Sequence, residues 1–348
     1  MNRCLNLAKL GRGKVHPNPM VGALLVHNST IIGEGYHQNF GGAHAEVNAV
    51  KAVKEKHLIK DSTLYVNLEP CCHWGKTPPC TDLILQSGVK KVVIGSLDPN
   101  PMVSGHGIQL LKEAGIEVIT GIMEKECLKL NEVFFSAIVN GNKSFQCVVK
   151  WAESKDGYMG KPEYKDVMDR ELSNGLVKRW VHKLRSQNQA ILVGTSTALI
   201  DNPLLDNRFW GGIIPTAVVL DRTLRIPGSS NLFKSQRPVI VLNELKGGEV
   251  NENIKWIKLD FNSGDAFFWQ SVKEILMSLN IRSLVIEGGS KTIQSFLRSG
   301  LPCQIIRIHT NTIWGNGIKA PEVTLKEKEE FYLGEDKIEI GEYHGDGL

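Results

Sequence analysis

The chain has 348 residues, a length that favours two domains over one. Hydrophobic residues make up 42% and charged residues 22%, which predicts packed cores and excludes a largely disordered chain. A formal net charge of +4 is too small for a strongly basic nucleic-acid surface, although it suits small anionic substrates. Seven scattered cysteines do not form a disulfide framework. No signal peptide or membrane-spanning apolar run is evident, so we expect a cytoplasmic protein.

Strand and helix patterns alternate over the first part of the chain. The predicted elements are a hairpin of strands 21–26 and 31–34, a helix over 45–54, a strand over 63–68, a helix over 81–86, a strand over 91–95, a helix over 107–114 and a strand over 116–119. This alternation predicts a three-layer α/β/α domain over residues 1–141.

A second α/β domain is predicted over residues 144–348, after the linker candidate Asn140-Gly141-Asn142. Its predicted strands cover 145–152, 190–193, 216–220, 238–242 and 283–286. One helix has an apolar face formed by Leu172, Leu176, Val177, Trp180, Val181 and Leu184. A later helix has an apolar face formed by Phe268, Val272, Ile275, Leu276 and Leu279.

Three potential zinc ligands lie where two helix patterns begin. His44 opens one helix, and Cys71 and Cys80 flank the start of another. Together they leave the fourth tetrahedral position of Zn²⁺ open for water, as in a catalytic rather than a structural site. Helix N-termini favour a thiolate and a metal-bound hydroxide over their protonated forms. Cys72 is left out, because adjacent side chains rarely converge on one ion. The other cysteines are predicted to be buried small hydrophobes: Cys4, Cys127, Cys147 and Cys303.

Glu46 lies two residues after His44, close enough to act on a bound water without binding the metal. Zinc lowers the pKa of its water to about 7, so hydroxide is available to attack an amidine-like carbon. Glu46 is then expected to move the proton to the ring nitrogen and the leaving ammonia. Zinc-dependent nucleobase deaminases have this His-x-Glu and Pro-Cys pattern. In them two residues separate the cysteines, whereas eight separate Cys71 from Cys80.

Further motifs accompany the ligands, although their Pro and Asn residues are also ordinary turn formers. They read PNPMVG at 17–22, HAE at 44–46, EPCCHWGKTPPC at 69–80 and DPNP at 98–101. Together they resemble the bifunctional deaminase–reductase family of riboflavin biosynthesis. The resemblance implies a cytidine-deaminase-like fold, zinc bound by His44, Cys71 and Cys80, and deamination of a diaminopyrimidinone bearing a ribosylamino 5-phosphate. The implied substrate contacts are Asn18, His37, His73, Lys76, Asp98 and Asn100.

The second domain lacks Gly-x-Gly-x-x-Gly, so nothing supports a Rossmann dinucleotide site. It has instead IEGGS at 286–290, where glycines and a helix N-terminus suit a phosphate, although Gly-Gly after a strand is more commonly a tight turn. The accompanying motifs are Lys150, SKDG at 154–157, HKLR at 182–185, AILVG at 190–194, Thr197, DNP at 201–203, Leu205 and Arg208. This series resembles the reductase half of the same family, which implies a dihydrofolate-reductase-like fold and NADPH.

The resemblance also implies roles for individual residues of this half. The implied NADPH contacts are Ala152, Thr197, Asp201, Gly289, Ser290, Lys291, Thr292, Ile293, Gln294 and Ser295. The implied substrate contacts are Arg185, Leu205, Arg208 and Glu287, and a guanidinium suits a phosphate. Lys150 is the predicted proton donor of the reduction, because burial can bring the pKa of a lysine toward neutrality; a strand-end surface charge is the alternative. The chain departs from the family pattern at Lys155, over 158–171 and over 301–304.

We therefore predict a bifunctional cytoplasmic enzyme with one zinc ion per chain and NADPH, acting on a small phosphorylated pyrimidine as a homo-oligomer without nucleic-acid or membrane partners. One alternative is a deaminase of free cytidine or nucleic-acid bases whose reductase domain is non-functional. The other is a binding or regulatory protein with a structural zinc. Glu46 argues against the second alternative, because a structural site needs no general base.

Overall fold

The computed structural model describes residues 1–15, 17–74, 78–100, 103–139, 145–161, 172–234, 237–251 and 253–345. The chain divides into two compact units, Met1–Ser144 and Phe145–Leu348. The linker candidate at 140–142 lies outside the described residues. Each unit combines a sheet with helices, so the predicted α/β class is confirmed. Within the described ranges, every helix is too short or too polar to cross a membrane.

The first unit is built on a five-stranded sheet. Its strands are β1 (Gly22–His27), β2 (Thr30–Tyr36), β3 (Thr63–Leu68), β4 (Lys91–Ser96) and β5 (Glu117–Ile119). Their order is β2-β1-β3-β4-β5, in which β3, β4 and β5 are parallel and β1 is antiparallel to both neighbours. The central strands are apolar and largely buried, as expected of strands covered on both faces.

Helices cover both faces of this sheet. They are α1 (Asn2–Ala8), α2 (Ala45–Ala52), α3 (Cys80–Ser87), α4 (His106–Glu113), α5 (Glu124–Leu130) and α6 (Glu132–Val139). Ala49, Ile84 and Leu111 pack α2, α3 and α4 into one core. On the opposite face, α1 lies so close to β1 that a Cβ at Gly22 would be 2.2 Å from the Cys4 carbonyl oxygen. The three-layer arrangement is therefore as predicted.

The second unit contains a ten-stranded sheet and a separate two-stranded one. Its strands are β6 (Gln146–Glu153), β7 (Tyr158–Gly160), β8 (Ala190–Gly194), β9 (Thr216–Leu220), β10 (Val239–Asn243), β11 (Gly248–Asn251), β12 (Ile254–Lys258), β13 (Ser283–Ile286), β14 (Cys303–His309), β15 (Ile318–Lys319), β16 (Lys326–Leu333) and β17 (Asp336–Tyr343). The order of the large sheet is β11-β12-β10-β9-β8-β13-β6-β14-β17-β16. The seven neighbouring strands β12, β10, β9, β8, β13, β6 and β14 run parallel to one another. At one end β11 is antiparallel to β12, and at the other end β17 is antiparallel to both β14 and β16.

The helices of this unit also lie on both faces of the sheet. They are α7 (Gly175–Ser186), α8 (Thr195–Asp201), α9 (Asn231–Lys234), α10 (Asp265–Ser278) and α11 (Ser290–Arg298). Helices α10 and α11 share one core with β6 and β8, and α7 packs on the other face of β6. The predicted apolar face of α10 is confirmed and additionally includes Trp269, which is 1% exposed.

The start and the apolar face of α7 differ from the prediction. Asn174 Oδ1 accepts the N–H groups of Leu176 and Val177, at 2.9 and 3.1 Å, and so caps the helix there. Leu172 therefore precedes the helix, and Leu176 is 54% exposed. The buried side chains of α7 are those of Val177, Val181, His182 and Leu184.

Seven strands of the described residues were not predicted: β7, β11, β12, β14, β15, β16 and β17. Strand β16 has a mostly charged, exposed sequence, KEKEEFYL, and lies at the edge of the sheet. Charges there protect an edge from pairing with other chains. They also remove the hydrophobic alternation by which a strand is recognised in a sequence.

Candidate active sites

His44, Cys71 and Cys80 meet between two helix starts in the first unit. His44 is the N-cap residue of α2, and Cys80 is the first residue of α3. The His44 Nδ1 atom lies 3.2 Å from Cys80 Sγ and 3.5 Å from Cys71 Sγ. Two such ligands on a tetrahedral zinc are about 3.6 Å apart, given the usual Zn–N and Zn–S bond lengths. All three ligand atoms lie within 4.8 Å of one another, so the donor set fits zinc.

The electrostatics of this cluster favour a cation. The hydrogen bond between the two cysteines lowers the pKa of Cys71 to about 4 and raises that of Cys80, because one sulfur holds the proton that the other has lost. The Cys80 N–H donates to Cys71 Sγ at 3.4 Å, which places the N-terminus of α3 against the thiolate. The hydrogen bond with Cys71 raises the pKa of His44. Cys72 does not belong to the cluster.

Glu46 lies in the first turn of α2 and is 3% exposed. Burial raises the pKa of its carboxyl, and the charge of Cys71 acts in the same direction. A carboxyl that binds and releases a proton beside a metal site is suited to general acid–base chemistry.

Asn18 and His37 adjoin the metal ligands. The Asn18 Nδ2 group lies 3.0 Å from His37 Nε2, and His37 Nδ1 lies 3.0 Å from the Ala43 carbonyl oxygen. These partners require a neutral ring that donates from Nδ1 and accepts at Nε2. Burial lowers the pKa of His37, in keeping with that form. The His37 ring packs edge-on against the His44 ring, with centroids 5.5 Å apart.

Two buried asparagines that the sequence analysis missed hold the chain next to Asn18. Asn67 accepts the Gly22 N–H at 2.7 Å and donates to the Met20 carbonyl at 3.1 Å. Asn131 accepts the Met20 N–H at 2.8 Å and donates to the same carbonyl at 2.9 Å. The available signal was an amide inside the apolar strand pattern at 63–68, since a buried amide needs partners.

Asp98 and Asn100 lie in the segment after β4. The Asn100 N–H donates to Asp98 Oδ1 at 2.8 Å. Burial raises the pKa of Asp98 to about 6, although the Asn100 N–H acts in the opposite direction. His73 is exposed in the segment that follows Cys71, and its charge also acts on Asp98. Lys76 lies outside the described residues.

In the second unit, Arg185 and Lys150 surround the carboxylate of Glu287. Arg185 donates from Nε and Nη2 to the two Glu287 oxygens, at 2.8 and 2.7 Å, and from Nη1 to the Asp206 carbonyl at 2.9 Å. Lys150 Nζ lies 3.8 Å from Glu287 Oε2. The Arg185 guanidinium, which was expected to bind a phosphate, therefore forms its bidentate interaction with the Glu287 carboxylate.

The ionisation of this cluster follows from its burial and its charges. Burial raises the pKa of Glu287, but Arg185 and Lys150 outweigh burial and lower it to about 2. Burial lowers the pKa of Lys150, and the charge of Glu287 offsets this only in part. The Lys150 side chain is 15% exposed, so it is not a surface charge.

The segment that carries Leu205 and Arg208 is held by a buried arginine that the sequence analysis missed. Arg237 donates to the carbonyls of Leu204 and Leu205, and Leu205 has a φ of +51°. Arg208 pairs with Asp206 at 2.5 Å, while its side chain is 46% exposed. Arg208 is thus accessible to a phosphate, whereas Leu205 is buried and its carbonyl already accepts from Arg237.

Glycines form a cradle at the ends of β8 and β13. A Cβ at Gly194 would lie 2.3 Å from Thr292 Oγ1, and a Cβ at Gly289 would lie 2.9 Å from Thr197 Oγ1. The Gly194 N–H donates to the Gly288 carbonyl at 3.1 Å. The two glycines thus let the hydroxyls of Thr292 and Thr197 lie against the strand ends beside the N-terminus of α11, which stabilises the charge of a phosphate. This arrangement fits the phosphates of NADPH.

Other predicted cofactor contacts have side chains turned elsewhere. Ile293 is fully buried in the core. Trp269 Nε1 donates to the Ser295 hydroxyl at 3.0 Å, and Gln294 Nε2 donates to the Ser290 hydroxyl at 3.2 Å. Among the predicted contacts on α11, those in its first turn, Lys291 and Thr292, therefore remain as the ones nearest to the glycine cradle. Ala152 lies near the end of β6, and Asp201 is the last residue of α8.

Two family models match the chain. The model of the cytidine and deoxycytidylate deaminase zinc-binding region matches residues 1–96, and the model of the RibD C-terminal domain matches residues 146–326. The first match contains the three-residue metal cluster, and the second contains Lys150, Arg185 and the glycine cradle. These matches confirm a cytidine-deaminase-like first unit and a dihydrofolate-reductase-like second unit.

Similar proteins are known both as sequences and as structures. The riboflavin biosynthesis protein RibD of Aquifex aeolicus is 37% identical over 338 residues, which cover 95% of this chain and 91% of the relative. A diaminohydroxyphosphoribosylamino-pyrimidine deaminase of Buchnera aphidicola subsp. Schizaphis graminum is 51% identical, covering 40% of this chain and 95% of its own. The crystal structure of a Thermotoga maritima diaminohydroxyphosphoribosylaminopyrimidine deaminase/5-amino-6-(5-phosphoribosylamino)uracil reductase is 36% identical, with a TM-score of 0.82 and coverage of 98% and 97%. The chain therefore belongs to the RibD family of riboflavin biosynthesis proteins.

Proposed function

We propose that this chain deaminates 2,5-diamino-6-(5-phosphoribosylamino)pyrimidin-4(3H)-one and then reduces the ribosyl group of the product to ribityl. One observation carries the proposal. The same chain combines a three-ligand metal cluster beside a buried carboxyl with a glycine cradle and a buried lysine–glutamate–arginine cluster. RibD relatives that match nearly the whole chain support the combination of both steps.

For deamination, His44, Cys71 and Cys80 would hold the zinc ion. Bound zinc supplies a hydroxide at neutral pH. Glu46 moves protons between the attacking water, the ring nitrogen and the departing ammonia. Its burial excludes bulk water, so the proton stays with the reacting groups.

Substrate contacts would come from three sides of the metal cluster. Asn18 is oriented by the neutral His37 ring, which supports a contact through its amide. Asp98 and Asn100 offer a carboxyl and an amide from the segment after β4. Exposed His73 suits the substrate phosphate, and Lys76 stays a prediction for the same group.

For reduction, the cradle and the start of α11 would hold the NADPH phosphates, and the cofactor supplies the hydride. Bound NADPH would supply this hydride to C1 of the open-chain sugar, where the C1–N double bond becomes a single bond. Lys150 donates the balancing proton to the nitrogen attached to C1, which its lowered pKa favours. Glu287 stays ionised and orients Lys150, and Arg208 binds the substrate phosphate.

The proposed substrate is a small phosphorylated pyrimidine rather than a nucleic acid, in keeping with a net charge of only +4. Full-length RibD relatives do not favour a cytidine or nucleic-acid deaminase with a non-functional second unit, nor a structural-zinc protein. A cytoplasmic homo-oligomer stays a prediction, for which native mass spectrometry is the direct test of subunit number.

Coupled turnover tests the proposal: ammonia release from the diaminopyrimidinone phosphate, followed by NADPH oxidation. The matched variant Glu46→Gln keeps the shape of the side chain but removes the base. We expect zinc to stay bound while ammonia release falls by about 10²–10⁴-fold. Supplied with the deaminated substrate, the variant should oxidise NADPH at the wild-type rate. Near-normal deamination by the variant would remove the role of Glu46, and a wild-type chain that releases no ammonia would refute the proposed function.

A further inference from the structure

Glu69 is a buried carboxylate between the two segments that carry Cys71 and Asp98. It directly follows β3 and is 3% exposed. Its Oε2 atom accepts the backbone N–H of Asp98 at 3.2 Å and that of Gly105 at 3.1 Å. One side chain therefore binds the backbone both at Asp98 and at Gly105.

The carboxylate also lies at the N-terminus of α4. Gly105 is the N-cap residue of this helix, with a φ of +79°, and its own N–H is the group that Glu69 accepts. A carboxylate at a helix N-terminus is favoured by the helix dipole, and a charged acceptor strengthens each hydrogen bond. The Asn100 carbonyl in turn accepts the N–H groups of Val103 and Ser104, both at 2.8 Å.

The packing around Glu69 leaves little room for movement. A Cβ at Gly107 would lie 2.6 Å from the Pro70 carbonyl oxygen and 3.3 Å from Glu69 Oε1. Glycine at this position thus lets α4 approach the carboxylate. Glu69 Oε1 is buried and has no hydrogen-bond partner among the described residues. Since a buried carboxylate is costly, packing alone does not explain its presence.

We propose that Glu69 is a positioning residue for deamination, which sets the place of Asp98 and Asn100 relative to Cys71. The proposal rests on the proposed function, because there Asp98 and Asn100 contact the substrate. Glu69 acts through two backbone N–H groups and is not a member of the metal cluster. Its loss should therefore misplace substrate and leave the metal bound.

Two substitutions of Glu69 separate positioning from folding. In Glu69→Gln the amide oxygen can still accept both N–H groups, whereas Glu69→Ala removes the acceptor. For Glu69→Ala we expect kcat/KM for ammonia release to fall by about 10- to 100-fold, mainly through KM, with one zinc per chain retained. Glu69→Gln should stay within about threefold of wild type on the same argument. Ser62→Ala is the control, because it removes a buried hydrogen bond to the Ile59 carbonyl just before β3 and leaves Glu69 and its partners unchanged.

A substitution on the other side of the contact gives an independent test. Gly107→Ala changes no charge and places a methyl group 2.6 Å from the Pro70 carbonyl oxygen and 3.3 Å from Glu69 Oε1, so α4 must shift relative to the carboxylate and kcat/KM should fall as in Glu69→Ala. Gly175→Ala is its control, since a Cβ there meets nothing within 4 Å.

Wild-type kcat/KM in Glu69→Ala, or in Gly107→Ala if Glu69→Ala does not fold, would overturn the proposal. Equal loss of zinc in Glu69→Ala and Glu69→Gln would overturn it too, because Glu69 would then serve the metal ligands. A wild-type chain without ammonia release would instead refute the proposed function.

Discussion

The two candidate sites are assembled in different ways. In the first unit, the metal ligands lie at or near the starts of α2 and α3, and His44 and Cys80 are 36 residues apart in the chain. In the second unit, Arg185 and Glu287 are 102 residues apart and meet because α7 packs against the sheet that contains β13. In the first site each ligand lies at or near a helix start and the ligands meet when α2 and α3 pack on one sheet, whereas in the second site no helix start or short motif marks the pair.

The sites also differ in their balance of charge. The first gathers two sulfur atoms and a buried carboxyl around one imidazole, an arrangement that a divalent cation stabilises. The second already balances the Glu287 carboxylate with Arg185 and Lys150. Loss of one metal ligand should therefore abolish metal binding at the first site. Loss of one charged residue should leave the second unit folded, with a changed net charge at its site.

The largest expected effect separates neighbouring cysteines. Cys71→Ser or Cys80→Ser should abolish zinc binding and deamination, because two protein ligands hold zinc poorly. Cys72→Ser, the matched control, should lose neither. Reduction of the deaminated substrate should persist in all three variants. Metal analysis, ammonia release and NADPH oxidation check these expectations, and loss of zinc in Cys72→Ser would show that the wrong cysteine of the pair was chosen.

The next prediction concerns the second site. Lys150→Met should reduce turnover of the deaminated substrate by about 10²–10⁴-fold, the usual contribution of a general acid. Glu287 keeps its bidentate partner Arg185, so NADPH binding followed by fluorescence should persist, and deamination should be unchanged. Lys155→Met removes an exposed lysine from the same region and is the control. A wild-type rate would deny Lys150 a chemical role, while loss of NADPH binding would make it a cofactor contact.

Features set by a short stretch of sequence could be predicted, whereas contacts between distant residues could not. The metal cluster was predictable because helix starts and a short motif place its ligands locally. The apolar face of α10 was predictable because its periodicity is intrinsic to the helix. The partners of charged side chains could not be predicted. Nothing in the sequence showed that the Arg185 guanidinium would form a bidentate ion pair with Glu287 instead of remaining available to a phosphate.

Residues that act through the backbone were missed for a similar reason. Glu69, Asn67 and Arg237 each bind main-chain groups that are distant in sequence. A main-chain N–H or carbonyl has no sequence signature, so such contacts appear only once the fold is known. The charged edge strand β16 was missed because its exposure removes the apolar alternation.

The smallest predicted effect is a pH dependence of stability at Asp98, near the first site. Burial raises the pKa of this carboxyl to about 6, whereas an ordinary aspartate titrates near pH ~3.9. Between these values the folded chain holds a proton that the unfolded chain has released. Stability contributed by this group therefore falls as pH rises from about 4 to about 6.

Asp98→Asn cannot ionise, so it should escape this loss while impairing deamination. The free energy of unfolding of Asp98→Asn relative to wild type should increase from pH 4.5 to pH 7.5, as measured by urea denaturation. Asp61→Asn is the control, because the hydrogen bond to Lys90 lowers the pKa of exposed Asp61, so its difference from wild type should stay constant between pH 4.5 and pH 7.5. A difference between Asp98→Asn and wild type that does not change with pH would show that Asp98 titrates like a solvent-exposed carboxyl. The first site would then be open to water on the side of Asp98, and the contrast between the sites would rest on the metal cluster and Glu46 alone.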